Sequence, residues 1–144
     1  MKNVQEGVVK SRENKKKIDA SLFEEALMHI RLKAFNEAEK ILRQLLRQKP
    51  DNEAYLLTLG NVYSLKKEPK KALRVYVRAS KIAPENPDCY SNMGVIYRQM
   101  GKKQQAEHYL KKALSFGKER ADIYYNLGNV YKQDKNHAEA EKNF

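Results

Sequence analysis

The sequence predicts an all-α chain, an α-solenoid of antiparallel helix hairpins. Three observations carry this: a fixed internal period, helical spacing of apolar residues within each period, and helix-ending residues between the segments. The period comes first, because an overlooked repeat misassigns everything built on it. Gly60, Gly94 and Gly128 recur every 34 residues, as do Tyr63, Tyr97 and Tyr131, and Ala26 stands one interval before Gly60. Three longer series keep the same step: Ala38, Ala72, Ala106 and Ala140; Leu42, Tyr76, Leu110 and Phe144; Leu22, Leu56, Tyr90 and Tyr124. Within a period, Leu56, Leu59, Gly60 and Tyr63 run i, i+3, i+4, i+7, and Ala72, Tyr76 and Ala79 run i, i+4, i+7. Each unit therefore holds two amphipathic helices.

In chain order, residues 1–18 carry mostly basic charge without clear apolar periodicity, so a disordered or frayed basic arm is expected there. Residues 19–144 form the repeat domain, in units 19–52, 53–86, 87–120 and a shortened 121–144. Asp51 and Asn86 are the expected N-caps of first helices, Pro87 suits a first turn, and Asn36 and Asn136 precede second helices. Gly101 is a natural C-cap inside the third unit. The glycines with Ala72, Ala106 and Ala140 let backbones approach, and the tyrosines fill the space beside them. A last helix is expected from about His137 to Phe144, roughly two turns, with Ala140 and Phe144 on its packing face; alone it is marginal. Such an uncapped end implies a longer repeat protein, or a second copy covering the C-terminal face.

At these positions the sequence resembles the tetratricopeptide repeat. The second unit matches throughout, with Leu56, Leu59, Gly60, Tyr63, Ala72, Tyr76, Ala79 and Pro84. The third has Lys118 where the family has proline, and the first is degenerate, with Glu25, Ala26 and His29 at the Leu, Gly and Tyr positions. The resemblance implies a right-handed superhelix whose first helices line a concave groove. Its expected contact residues are Phe23, Leu27, Ile30 and Arg31; Thr58, Asn61 and Leu65; Ser91, Asn92, Val95 and Gln99; Tyr125, Asn126, Asn129 and Gln133. A primary amide both donates and accepts, which suits a peptide backbone. Asn92 and Asn126 stand one period apart and Asn61 and Asn129 two, an arrangement similar to the asparagine ladder in the repeat superhelix of O-linked N-acetylglucosamine transferase. The carboxylate clamp of chaperone-tail binders is incomplete: Asn61 and Asn92 match, but Leu57, Asp122 and Asn126 stand where cations are required. Starting one unit earlier places Phe23, Leu27, Thr58, Asp88 and Asn92, which fits worse.

Composition narrows the remaining classes. Of 144 residues 33% are charged, with six glycines and four prolines, which excludes collagenous and low-complexity chains. No apolar run approaches the ~18 residues that span a bilayer, and residues 1–17 contain no stretch of signal-peptide type, so a soluble cytoplasmic protein without membrane contact is expected. One cysteine and three scattered histidines make neither an internal disulfide nor a metal site by spacing. The glycines match no phosphate-binding loop, and no nucleophile is paired with a base, so neither a catalytic residue nor a cofactor is expected. The net charge of +11 favours an acidic or polyanionic neighbour. Along the second helix of the second unit, Lys70, Arg74, Arg78 and Lys81 form an outer basic stripe at i, i+4, i+8, i+11. The main reading is a protein- or peptide-binding scaffold. The alternatives are an electrostatic binder of nucleic acid or an anionic surface through arm and stripe, and a scaffold that self-associates through its C-terminal face.

Overall fold

The computed structural model describes the backbone of residues 2–142 and the side chains of residues 3–133 and 135. It contains α1 (Lys2–Arg31), α2 (Phe35–Gln48), α3 (Glu53–Leu65), α4 (Pro69–Ile82), α5 (Pro87–Gln99), α6 (Lys103–Phe116) and α7 (Ala121–Lys142), with no strand among the described residues. Each helix packs on the next, and α5 also meets α7, so the architecture is the expected all-α solenoid of hairpins. The core is a continuous apolar spine running from Ala26 to Val130.

The turn inside each of the first three hairpins has one geometry. Lys33 and Lys67 each have φ 60°, and Gly101 has φ 75°. The next amide then reaches back to the helix: Ala34 N to His29 O at 2.8 Å, Glu68 N to Tyr63 O at 2.8 Å, and Lys102 N to Tyr97 O at 2.9 Å. These are Schellman closures, recurring with the repeat period. They also set where second helices begin. Ala34, Glu68 and Lys102 are the N-cap residues and make no side-chain cap bond, so Asn36 falls inside the first turn of α2 instead of capping it. First helices use side-chain caps. Asn52, one residue past the expected Asp51, accepts from Tyr55 N at 3.1 Å, and Asn86 accepts from Asp88 N at 2.9 Å.

Large and small residues interlock between the helices of a hairpin. A Cβ added at Gly60 would lie 2.3 Å from the Tyr76 ring, and one at Gly94 would lie 2.6 Å from Leu110 Cγ. In the first unit Ala26 and the smaller Leu42, both fully buried, hold the equivalent places.

Two expectations about the ends are corrected. In place of a disordered arm, α1 continues back to Lys2, with residues 3–18 exposed along it. The segment is rich in Lys, Glu and Arg, which favour helix, and contains no proline to stop it. Asp19, the first buried residue, accepts an ion pair from Lys49 at 3.3 Å and so fastens α1 to the end of α2. At the other end α7 runs unbroken through Asn136 and His137, so among the described residues the turn expected before His137 is absent. Lys135 stands one period after Gly101, and a left-handed turn at a lysine costs about 1–2 kcal/mol. Continuing the helix satisfies the same backbone groups without that cost. Among the described residues nothing lies within 4 Å of a Cβ added at Gly128. The side chain of Ala140, and Phe144 altogether, lie outside the described residues.

Candidate peptide groove

The first helices of successive units are α1, α3, α5 and α7, and their side chains divide into those spent on the fold and those left open. Phe23 and Thr58 belong to the first group. Phe23 is half-buried with its ring 5.1 Å from that of Tyr55, and Thr58 donates to Ala54 O at 2.7 Å. Ser91 is buried and faces no groove. Asn61 is divided, because its Oδ1 accepts from the Tyr76 hydroxyl at 2.6 Å and only its amide donors remain. That bond removes Asn61 from equivalence with Asn129.

Asn92, Asn126 and Asn129 are half-buried, and among the described residues no hydrogen bond engages their amides. Half-burial limits their access to water while leaving donor and acceptor unspent, the condition under which a ligand bond gains most. Asn129 converges with Gln99, Gln133, Arg98 and Lys132 on an open trough of about 410 Å³ between α5 and α7. The Arg98 Nε is buried there and has no hydrogen-bond partner among the described residues. Leu27 and Val95 are half-buried, whereas Leu65 and Tyr125 are 52% and 71% exposed. Of the four, only Leu65 and Tyr125 stand open to solvent.

Asp122, at a position where a carboxylate clamp requires a cation, is held by Arg120, whose Nη2 reaches Asp122 Oδ2 and Asp88 Oδ1 at 2.8 Å each. The Arg120 hydrogen bond keeps the Asp122 carboxyl below its usual range. This clasp joins the starts of α5 and α7 and leaves no free cation at that place.

The basic residues of the outer stripe separate. Arg74 and Arg78 enter an open cleft of about 600 Å³ between α2 and α4, together with Arg43, Arg47 and Lys71. Leu46, Leu56, Leu59 and Val75 contribute its apolar floor. Lys70 and Lys81 are exposed but do not line it. The one signal of the α2 half in the sequence is Arg43 and Arg47 at i, i+4, and spacing along one helix does not connect them to α4.

For chemistry, no group of three His, Cys, Asp or Glu able to hold a metal occurs among the described residues. Cys89 is fully buried, and burial, followed by the nearby Glu53 and Asp88 carboxylates, pushes its thiol up to about 11. The opposing influence of the helix N-terminus does not prevail. No described helix is long and apolar enough to cross a membrane.

Three sequence profiles, each described as tetratricopeptide repeat, match residues 29–93, 87–116 and 121–144. The chain belongs to the tetratricopeptide repeat family. Among solved structures, this tetratricopeptide repeat chain is similar to the Sgt2 TPR domain from Aspergillus fumigatus, at 18% identity and a TM-score of 0.76 over 84% of this chain and 82% of that one. It is also similar to the first TPR of Spaghetti (RPAP3) bound to the HSP90 peptide SRMEEVD, at 15% identity and 0.74 over 80% and 91%. A third similar structure is the MamA protein, at 24% identity and 0.71 over 85% and 67%. These likenesses are of fold. No curated protein matches the sequence.

Proposed function

We propose that this tetratricopeptide repeat domain is a non-enzymatic interaction scaffold that binds an extended peptide or partner helix in its concave groove. The observation that carries the reading is the set of half-buried, unengaged amides of Asn92, Asn126 and Asn129 on neighbouring first helices. Their role is to hold the ligand backbone, in the manner of an asparagine ladder, while Leu65 and Tyr125 take its apolar side chains. Interface energy concentrates in a few such anchors, so these two residues set preference and the amides set register. The similar Spaghetti domain is bound to a peptide, which supports a peptide as the class of ligand. An acidic chaperone tail is not the ligand proposed, because Leu57, Asn126 and the Arg120-held Asp122 supply no clamp cations. A single cysteine, buried and free, fits a reducing cytoplasm.

Peptides selected by display against the intact protein test the proposal. Asn92→Ala with Asn126→Ala is expected to weaken their binding about tenfold without lowering Tm. Unchanged affinity, or a loss matched by reduced stability, contradicts the ladder.

A further inference from the structure

We propose that the cleft between α2 and α4 is a second binding site, for a peptide segment with clustered carboxylates or phosphates around one large apolar side chain. Five cations, Arg43, Arg47, Lys71, Arg74 and Arg78, line it, and no carboxylate does. Four of the five are guanidinium groups, whose planar fork matches carboxylate and phosphate oxygens in pairs. Arg43, Arg47 and Arg74 have no ion-pair partner among the described residues. Lys71 is shared with Glu68 at 3.4 Å, and Arg78 donates to Pro50 O at 2.5 Å, which fixes its guanidinium at the cleft wall. Among the described residues only Lys71 of the five is ion-paired, so guanidinium groups of like charge converge with no salt bridge of their own and suit an external anion.

The apolar floor and the volume select the kind of anion. About 600 Å³ lies within the range of sites that enclose a small ligand or an anchoring side chain. A nucleic acid strand calls for a continuous cationic track with aromatic faces for its bases. Tyr63 is the one aromatic residue lining the cleft, and it is itself bonded to Glu39. Glu39 on α2 and Glu68, the N-cap residue of α4, are both ion-paired to Lys66, and their negative charge beside the cleft disfavours a long polyphosphate strand. An acidic peptide with one apolar anchor fits both the rim and the floor. Its cations lie on the second helices α2 and α4, its floor includes Leu56 and Leu59 of α3, and none of the groove amides lines it.

The test uses the intact protein and four fluorescein-labelled probes. These are a peptide of glutamates flanking a central leucine, the same peptide with phosphoserine for glutamate, the glutamate peptide with serine for leucine, and a single-stranded thymidine oligonucleotide. Binding is read by anisotropy. Arg47→Glu with Arg74→Glu is expected to weaken the leucine peptides about tenfold or more. Lys70→Glu with Lys81→Glu makes the same change of net charge outside the cleft and is expected to change affinity less than about twofold. Serine for leucine is expected to weaken binding, and whichever of the glutamate and phosphoserine peptides binds more tightly identifies the anion the cleft takes. If the reversal variant melts early, Arg47→Gln with Arg74→Gln carries the same expectation. The proposal is overturned if neither leucine peptide binds the wild type, if both charge reversals weaken binding equally, or if the oligonucleotide binds more tightly than the peptides.

Discussion

The hydroxyl of Tyr76 lies 2.6 Å from Asn61 Oδ1. One side chain thus fills the gap left by Gly60 and ties a groove amide of α3 to the second helix of its own hairpin. The fit leaves no room for a methyl group, since a Cβ at Gly60 meets the Tyr76 ring at 2.3 Å and that ring is buried. Gly60→Ala should therefore destabilise by about 1–3 kcal/mol through overpacking. Adding Tyr76→Leu should recover part of the loss, because the first unit already pairs Ala26 with Leu42. Gly128→Ala, where nothing among the described residues lies within 4 Å, should instead strengthen α7 by about 1 kcal/mol. Urea melts of the four proteins decide this; equal effects of the two glycine changes would contradict the interlock.

Lys67 occupies the left-handed region with φ 60°, at the place where the third hairpin has Gly101. Lys67→Gly should stabilise by about 0.5–1 kcal/mol, the strain relieved exceeding the extra freedom of the unfolded glycine. A lower melting temperature in the variant would show that Lys67 contributes a contact that outweighs its backbone strain.

Glu39 and Lys66 join the first two units at 3.1 Å. Burial acts to raise the Glu39 carboxyl, but hydrogen bonds from Lys66 and Tyr63 outweigh it and hold the group below the ordinary value of 4.5. A depressed folded pKa means stability that is complete above the unfolded value and is lost as the pH falls through the folded one. Glu39→Gln should therefore be less stable than wild type by about 1 kcal/mol at neutral pH, with the gap closing as the pH falls below about 4. Denaturant melts across that pH range check the closing; a gap independent of pH would exclude the ion pair as its source.

Cys89 should resist alkylation and disulfide exchange in the folded protein at pH 8, since its thiol is fully buried and pushed up to about 11. Denaturation in urea should restore ordinary reactivity. Rapid modification by a thiol reagent under native conditions would mean that the start of α5 opens readily.

The spine was legible because its interlock is periodic: the glycine and tyrosine series mark where backbones meet, and Gly60 and Gly94 do meet Tyr76 and Leu110. What sequence reasoning missed depends on contacts that periodicity does not encode. The turns at Lys33 and Lys67 carry no glycine, so only the packing of the following helix shows that lysine is held there in a left-handed conformation. In the unbroken α7 a lysine, Lys135, likewise stands at the register of Gly101, and there the helix continues through it. In the groove, nothing in the repeat pattern separates Asn61 from Asn129; the difference is the Tyr76 hydroxyl on the Asn61 acceptor. The basic stripe, read along one helix, included Lys70 and Lys81 and omitted Arg43 and Arg47, because the cleft is formed between helices and not along one.

The central claim, that free amides on α5 and α7 grip a ligand backbone, is tested most directly by NMR of the side-chain NH₂ groups while a display-selected peptide is titrated into the protein. The account predicts that the Asn92, Asn126 and Asn129 amides shift and gain protection from exchange while that of Asn61 moves least. Perturbations confined to the face formed by α2 and α4, with those three amides unmoved, would contradict it.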